Sequence, residues 1–273
     1  LISHGIMVNA QGYLLSKASS SMGARYSKSY SGKYLPIRIR KRDEKTDLAL
    51  WQITDSSKLW PFAEWHSDLN KTKIGNWAIS GNKDLSGLTF GVISAKSRSI
   101  GRQGGVMGVI LEESNSSTKG IEVLEVLPYA AGDRGGLKVR DRIIRVDGRI
   151  VRTTEQINEI VKKKDPGDLL TLSIQRRKKE SLLRITLGHR EVAFDMFNRN
   201  LLMSGPVSKR KDNFPMILQH DLPLFKEMMG GGIFDLNGYC VGINIARIDR
   251  VTSYALPTPV VLPVLNKWIK ELP

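Results

Sequence analysis

A single cysteine, Cys240, in 273 residues excludes an internal disulfide and any metal site built from several thiolates. Histidine is nearly as scarce. His4, His66, His189 and His220 are dispersed, with no HExxH pair to hold zinc. No Walker loop or dinucleotide fingerprint occurs, so neither a metal nor a cofactor is expected. No apolar run reaches the roughly 18 residues that a membrane-spanning helix needs. The sequence does not start with methionine, and residues 1–15 already read as strand. A mature or trimmed chain, with any targeting signal removed, is therefore expected.

Acidic residues are too few to balance the basic ones: 27 Asp and Glu face 42 Lys and Arg, a net charge of +15. Such a surplus invites an anionic partner, but no long basic tract exists. The runs are short and scattered: Arg38-Ile39-Arg40-Lys41-Arg42, Lys162-Lys163-Lys164, Arg176-Arg177-Lys178-Lys179 and Lys209-Arg210-Lys211. They are expected to be solvated turns and helix ends, where lysines favour the macrodipole. This distribution argues against a nucleic-acid partner.

Short strands dominate the pattern. Ile6-Met7-Val8 and Tyr13-Leu14-Leu15 flank Gln11-Gly12 as a hairpin. Leu35, Ile37 and Ile39 alternate with polar residues, as on a half-buried strand. Residues 48–53, 77–80 and 88–95 read the same way. The style changes near Gly101. Strand-like residues 121–126 and 169–174 bracket an amphipathic helix over 154–164, with Ile157, Ile160 and Val161 on one face. Thr153 or Thr154 can cap it, and Asp165-Pro166-Gly167 stops it. Short strands then return, and a last helix over 259–272 closes the chain. The fold class expected is mainly β.

Gly105-Val106-Met107-Gly108-Val109, then Gly135-Gly136-Leu137 and Asp141-Arg142-Ile143 through Asp147-Gly148, resemble PDZ domains of the HtrA type across residues 102–190. Val139-Arg140 depart from that family's usual Pro-Gly. The resemblance implies an α+β module whose loop Val106, Met107, Gly108 and Val109 binds a peptide carboxylate through backbone N–H groups. Successive amides can converge on an anion only where no side chain intrudes, hence Gly108. The peptide would add as a strand along residues 107–111. Met107, Val109, Asn158 and Val161 would line the pocket, Ile157 and Ile160 would face the core, and Arg102 would stand near the loop.

The flanking segments resemble the two-barrel, trypsin-like protease domain of the HtrA/Deg family. Gly12-Tyr13-Leu14-Leu15-Ser16-Lys17-Ala18-Ser19 is similar to that family's GYILTNNH, and Thr46-Asp47-Leu48-Ala49-Leu50 to TDLAVL. Phe90-Gly91-Val92-Ile93-Ser94-Ala95, Gln219-His220-Asp221, Met229-Gly230-Gly231 and Val241-Gly242-Ile243-Asn244 continue the likeness. It implies a general base at Ser19, an orienting acid at Asp47, a nucleophile at Met229 and an oxyanion-hole glycine at Glu227. Only the acid is of the required type. A thioether cannot form an acyl-enzyme, and a serine hydroxyl cannot accept a proton at neutral pH as imidazole does. A glutamate would bring negative charge where negative charge must develop.

The expected organisation is a barrel domain in two parts, residues 1–100 and 191–273, with the PDZ module inserted at 101–190. The expected function is non-proteolytic capture of peptides or exposed protein C-termini. The barrels would act as scaffold, with homo-oligomerisation or cleft binding as further roles. The resemblance places the chain outside the cytoplasm, in a periplasmic or secreted setting. Two alternatives stay open: an active endopeptidase with displaced residues, for which Ser204 in Met203-Ser204-Gly205-Pro206 is the candidate nucleophile, and a basic surface for anionic polymers.

Overall fold

In the computed structural model, residues 2–29, 31–54, 59–66, 68, 72–84, 86–113, 120–189 and 203–272 are described. The chain forms two compact units, Leu1–Arg102 with Asn200–Pro273, and Gln103–Arg199.

The first unit opens with β1 (Gly5–Met7), β2 (Tyr13–Lys17), α1 (Ala18–Ser21), β3 (Tyr26–Lys28), β4 (Tyr34–Asp43) and β5 (Leu48–Ile53). The strands make a five-stranded sheet in the order β1-β2-β5-β4-β3. Its central strands are buried on both faces, and the two-residue strand period sorts their side chains. Leu15, Leu48 and Leu50 enter one apolar cluster, while Leu14, Ala49, Trp51 and Ile53 enter another. The chain then makes β6 (Trp77–Gly81) and β7 (Leu88–Ile100) and leaves this unit.

The second unit holds β8 (Val109–Glu112), β9 (Ile121–Val126), α2 (Ala131–Arg134), β10 (Arg142–Val146), β11 (Arg149–Ile150), α3 (Thr154–Lys162), β12 (Leu169–Arg176) and β13 (Lys179–Thr186). Its sheet runs β13-β12-β10-β9-β8, with β11 paired to β10. Ile157 and Val161 of α3 join Ile121, Ile143, Leu172 and Ile185 in its core. Thr153 caps α3 by accepting from the Gln156 N–H at 3.3 Å. Asp141, from the most specific stretch of the sequence pattern, is a buried carboxylate. It takes both arms of Arg176, at 2.7 Å each, and the Lys138 N–H at 2.8 Å. The first and last parts of this unit meet at a β-bridge between Val106 and Gly188.

Back in the first unit, β14 (Phe214–His220), β15 (Gly232–Phe234), β16 (Cys240–Arg247) and β17 (Ser253–Pro257) complete a closed barrel, β14-β17-β16-β15-β6-β7. Phe214 of β14 is the register partner of Ile100 of β7, so the barrel seam closes where the chain had departed. The terminal helix α4 (Thr258–Lys270) sets Val261, Leu265 and Trp268 into the cluster that also holds Leu15 and Ile243.

Ile157 is fully buried at the centre of the second unit's core. Ile157→Ala should cost about 2–4 kcal/mol, read as a lowered urea midpoint by circular dichroism. An unchanged midpoint would contradict the placement of this helix face.

Candidate functional site

In the second unit the candidate site is made of backbone. The strand β8 ends its sheet, so one edge meets β9 and the other meets no strand among the described residues. The loop before it is fastened from several sides. The Gly105 N–H donates to the Lys164 carbonyl at 2.7 Å, and Val106 and Gly188 exchange bonds at 3.0 and 2.9 Å. The Met107 and Gly108 carbonyls accept from the Gly132 and Leu127 N–H groups, at 2.7 and 3.0 Å. Every one of those carbonyls is spoken for. The N–H groups of Met107 and Gly108 meet no acceptor among the described residues. Gly108 sits at φ +70°, the left-handed region that glycine enters without a Cβ penalty. Successive amides without acceptors can cradle an anion.

Beside this cradle Val109 is half-buried and Met107 buried. Along α3, Asn158 is exposed, whereas Val161 is buried in the same core cluster as Met107. Ile157 is fully buried, and Ile160 is only partly so against that cluster.

In the first unit, Ser19 and Asp47 are brought together. The carboxylate accepts the Ser19 N–H at 2.8 Å on Oδ1 and the Ser19 hydroxyl at 2.7 Å on Oδ2. The hydroxyl proton is thus committed to Asp47. The acid ties down the β2–α1 junction, its own carbonyl accepting the Ala18 N–H at 2.7 Å. Lys17 Nζ lies 3.9 Å from Oδ2, with both side chains buried. Met229 is fully buried in the barrel's apolar interior with Met228, Leu218 and Val241. Its carbonyl accepts from the His4 N–H at 3.1 Å and the Ser3 hydroxyl at 2.7 Å. The next residue, Gly230, has φ +94°, and a Cβ there would collide with the His4 carbonyl. The loop is wedged against the N-terminal segment. Glu227 lies 4.0 Å from Lys226 Nζ in the turn just before.

Residues 105–187 match the family model of the PDZ domain. The inserted unit is a PDZ domain. No curated protein matches the chain. Among solved structures the chain is similar to the HtrA-type protease AlgW with a decapeptide, at 16% identity and a TM-score of 0.31, over 69% of this chain and 83% of that one. A variant of the same protease with decapeptide gives 16% identity and a TM-score of 0.31, over 69% and 82%. The fold class is mainly β: a unit built of a five-stranded sheet and a closed six-stranded barrel, interrupted by the α+β PDZ module.

Outside the PDZ module, the remaining candidates are buried. Ser204 is buried and accepts the Arg250 N–H at 2.9 Å. His220 is fully buried, and neither ring nitrogen has a hydrogen-bond partner among the described residues. Burial pushes its pKa down to about 4, against the raising effects of Asp221 and Asn244. Burial likewise pushes the Cys240 thiol up to about 12, which leaves it protonated and unreactive. Among the described residues no cluster of metal-ligating side chains occurs, and no helix is long and apolar enough to cross a membrane.

Sequence reasoning missed Lys17 and Glu113. Lys17 follows a buried strand pattern, and its polarity could have flagged it as a buried cation in need of an acid. Glu113 accepts from the N–H and hydroxyl of Thr154 at 2.7 and 3.1 Å. Nothing local in the sequence marks that pairing, because the two residues lie 41 positions apart.

Burial lowers the Lys17 pKa from 10.5 to about 8, while Asp47 opposes the shift. The folded state therefore sheds this proton earlier than the unfolded state does. The penalty for burying the charge is present below pH 8 and relieved between pH 8 and the ordinary lysine range. Across that window the stability of the wild type relative to Lys17→Met should rise with pH in urea titrations. A flat difference would show that Lys17 is not buried as a cation.

Proposed function

We propose that the chain is an HtrA-like peptide-binding protein that captures free C-termini of peptides or proteins through its PDZ groove without cutting them. One observation carries this reading: the open Met107 and Gly108 amides stand beside the unpaired edge of β8. The amides suit a terminal carboxylate, the edge suits an extended backbone, and the apolar residues around the loop suit a hydrophobic side chain. The protease-like unit supports a scaffold role. Its nucleophile position holds a thioether, and its base position holds a hydroxyl already donating to Asp47. Homo-oligomerisation through this unit and an extracytoplasmic setting belong to the same proposal and rest on family resemblance.

Fluorescence anisotropy with a labelled peptide ending in a free hydrophobic residue tests the reading. Binding should weaken by about tenfold or more when the terminal carboxylate is amidated, since charge-assisted hydrogen bonds are lost. Gly108→Glu should abolish it, by forcing a side chain and a like charge into the cradle. Equal binding by the amidated peptide, or by that variant, would refute the groove. In parallel, casein should stay intact and a fluorophosphonate probe should label no serine. Labelling at Ser204 or elsewhere would establish the protease alternative.

A further inference from the structure

The far end of the PDZ groove is acidic on a strongly basic protein. Glu112 ends β8, Glu113 follows it, and Glu155 lies in the first turn of α3, all three exposed. The Thr154 hydroxyl joins two of them, at 3.1 Å from Glu113 Oε1 and 3.3 Å from Glu155 Oε1. Thr154 uses only one Glu113 oxygen, Oε1. Among the described residues no lysine or arginine forms an ion pair with any of these glutamates.

The register of a bound peptide follows from the strand geometry. A carboxylate held at the loop before β8 makes the peptide run antiparallel to that strand. Its C-terminal residue then stands opposite Val109, and the residue four positions upstream stands opposite Glu113. Along the strand, Val109, Leu111 and Glu113 alternate onto one side. The first two pack against the core, and Glu113 reaches α3. The same two-residue period points the peptide's C-terminal side chain and the one four positions upstream into the groove.

The geometry points to Glu113 as a specificity-determining residue that selects a lysine or arginine four positions upstream of the bound C-terminus. This rests on the peptide-binding reading of the same groove and names part of its preference. The ammonium or guanidinium would meet the Glu113 oxygen that Thr154 does not use, with Glu155 adding to the local field. A net charge of +15 would by itself draw acidic peptides. A preference for a basic residue at one position therefore has the opposite sign from non-specific attraction.

Three labelled peptides that differ only at that position, carrying Lys, Gln or Glu, are titrated with the full chain by fluorescence anisotropy. The lysine peptide should bind tightest, about three- to tenfold better than the glutamate peptide, as for exposed ion pairs. In Glu113→Gln that ratio should fall to about twofold or less. Moving the lysine one residue along the peptide in the wild type should remove its advantage, because the side chain then points out of the groove. Binding without discrimination, or an unchanged ratio in Glu113→Gln, would overturn the selector role and leave the groove standing. No binding by any of the three would overturn both.

Discussion

The PDZ unit turns on an imbalance in one stretch of backbone. The carbonyls of Val106, Met107 and Gly108 are all occupied by amides from Gly188, Gly132 and Leu127. Those bonds fasten the loop, and the Met107 and Gly108 amides are left without an acceptor among the described residues. A buried or half-buried N–H without a partner is costly, and the loop carries two of them side by side. Because the anchoring bonds come from α2, from the connection after β9 and from Gly188, two residues past β13, the loop is tied to distant parts of the module. Preorganisation of this kind lowers the entropy a ligand must overcome.

The first unit presents the contrasting case, in which polar side chains act as fastenings. The Asp47 oxygens hold the N–H and hydroxyl of Ser19 and face the Lys17 ammonium. The Met229 side chain is buried in the barrel interior, and its carbonyl receives His4 and Ser3. With Ser3 and His4 bonded to the Met229 carbonyl and Gly230 close against the His4 carbonyl, this loop is held firmly to the N-terminal segment.

Much of this architecture was legible in the residues. The short apolar runs marked β5 and β9 to the residue, and the i, i+3, i+4 pattern marked α3 to within two residues of its end, because the burial of these segments is written locally. The extent of β7 was harder to read: the expected strand stops at Ala95, whereas the structure carries it to Ile100. Residues 96–100 are mostly exposed, so pairing with β14, more than a hundred positions away, keeps them extended. β13 escaped notice for the same reason, since its exposed polar side chains give no alternation and its order comes from pairing with β12. At the sites, motif spacing located Ser19, Asp47 and the loop around Gly108. Arg176 could not be paired with Asp141, nor Glu113 with Thr154, because such partners meet only through tertiary folding. Whether Asn158 and Val161 belong to a pocket wall is equally non-local, and Val161 contributes to the module's core.

Two register facts have a joint consequence for how this chain is assembled. Ile100 and Phe214 are partners in the barrel seam, and Val106 and Gly188 are partners at the root of the PDZ module. Host and guest therefore each close their own hydrogen-bonded ladder across the splice, and neither depends on the other to finish a sheet. To the barrel, the guest is equivalent to a loop between adjacent antiparallel strands, and the entropy of closing a loop grows only slowly with its length. Such a splice is modular in the literal sense: a short linker joining the ends of the seam would restore an ordinary hairpin, and the excised module would carry its recognition loop away whole.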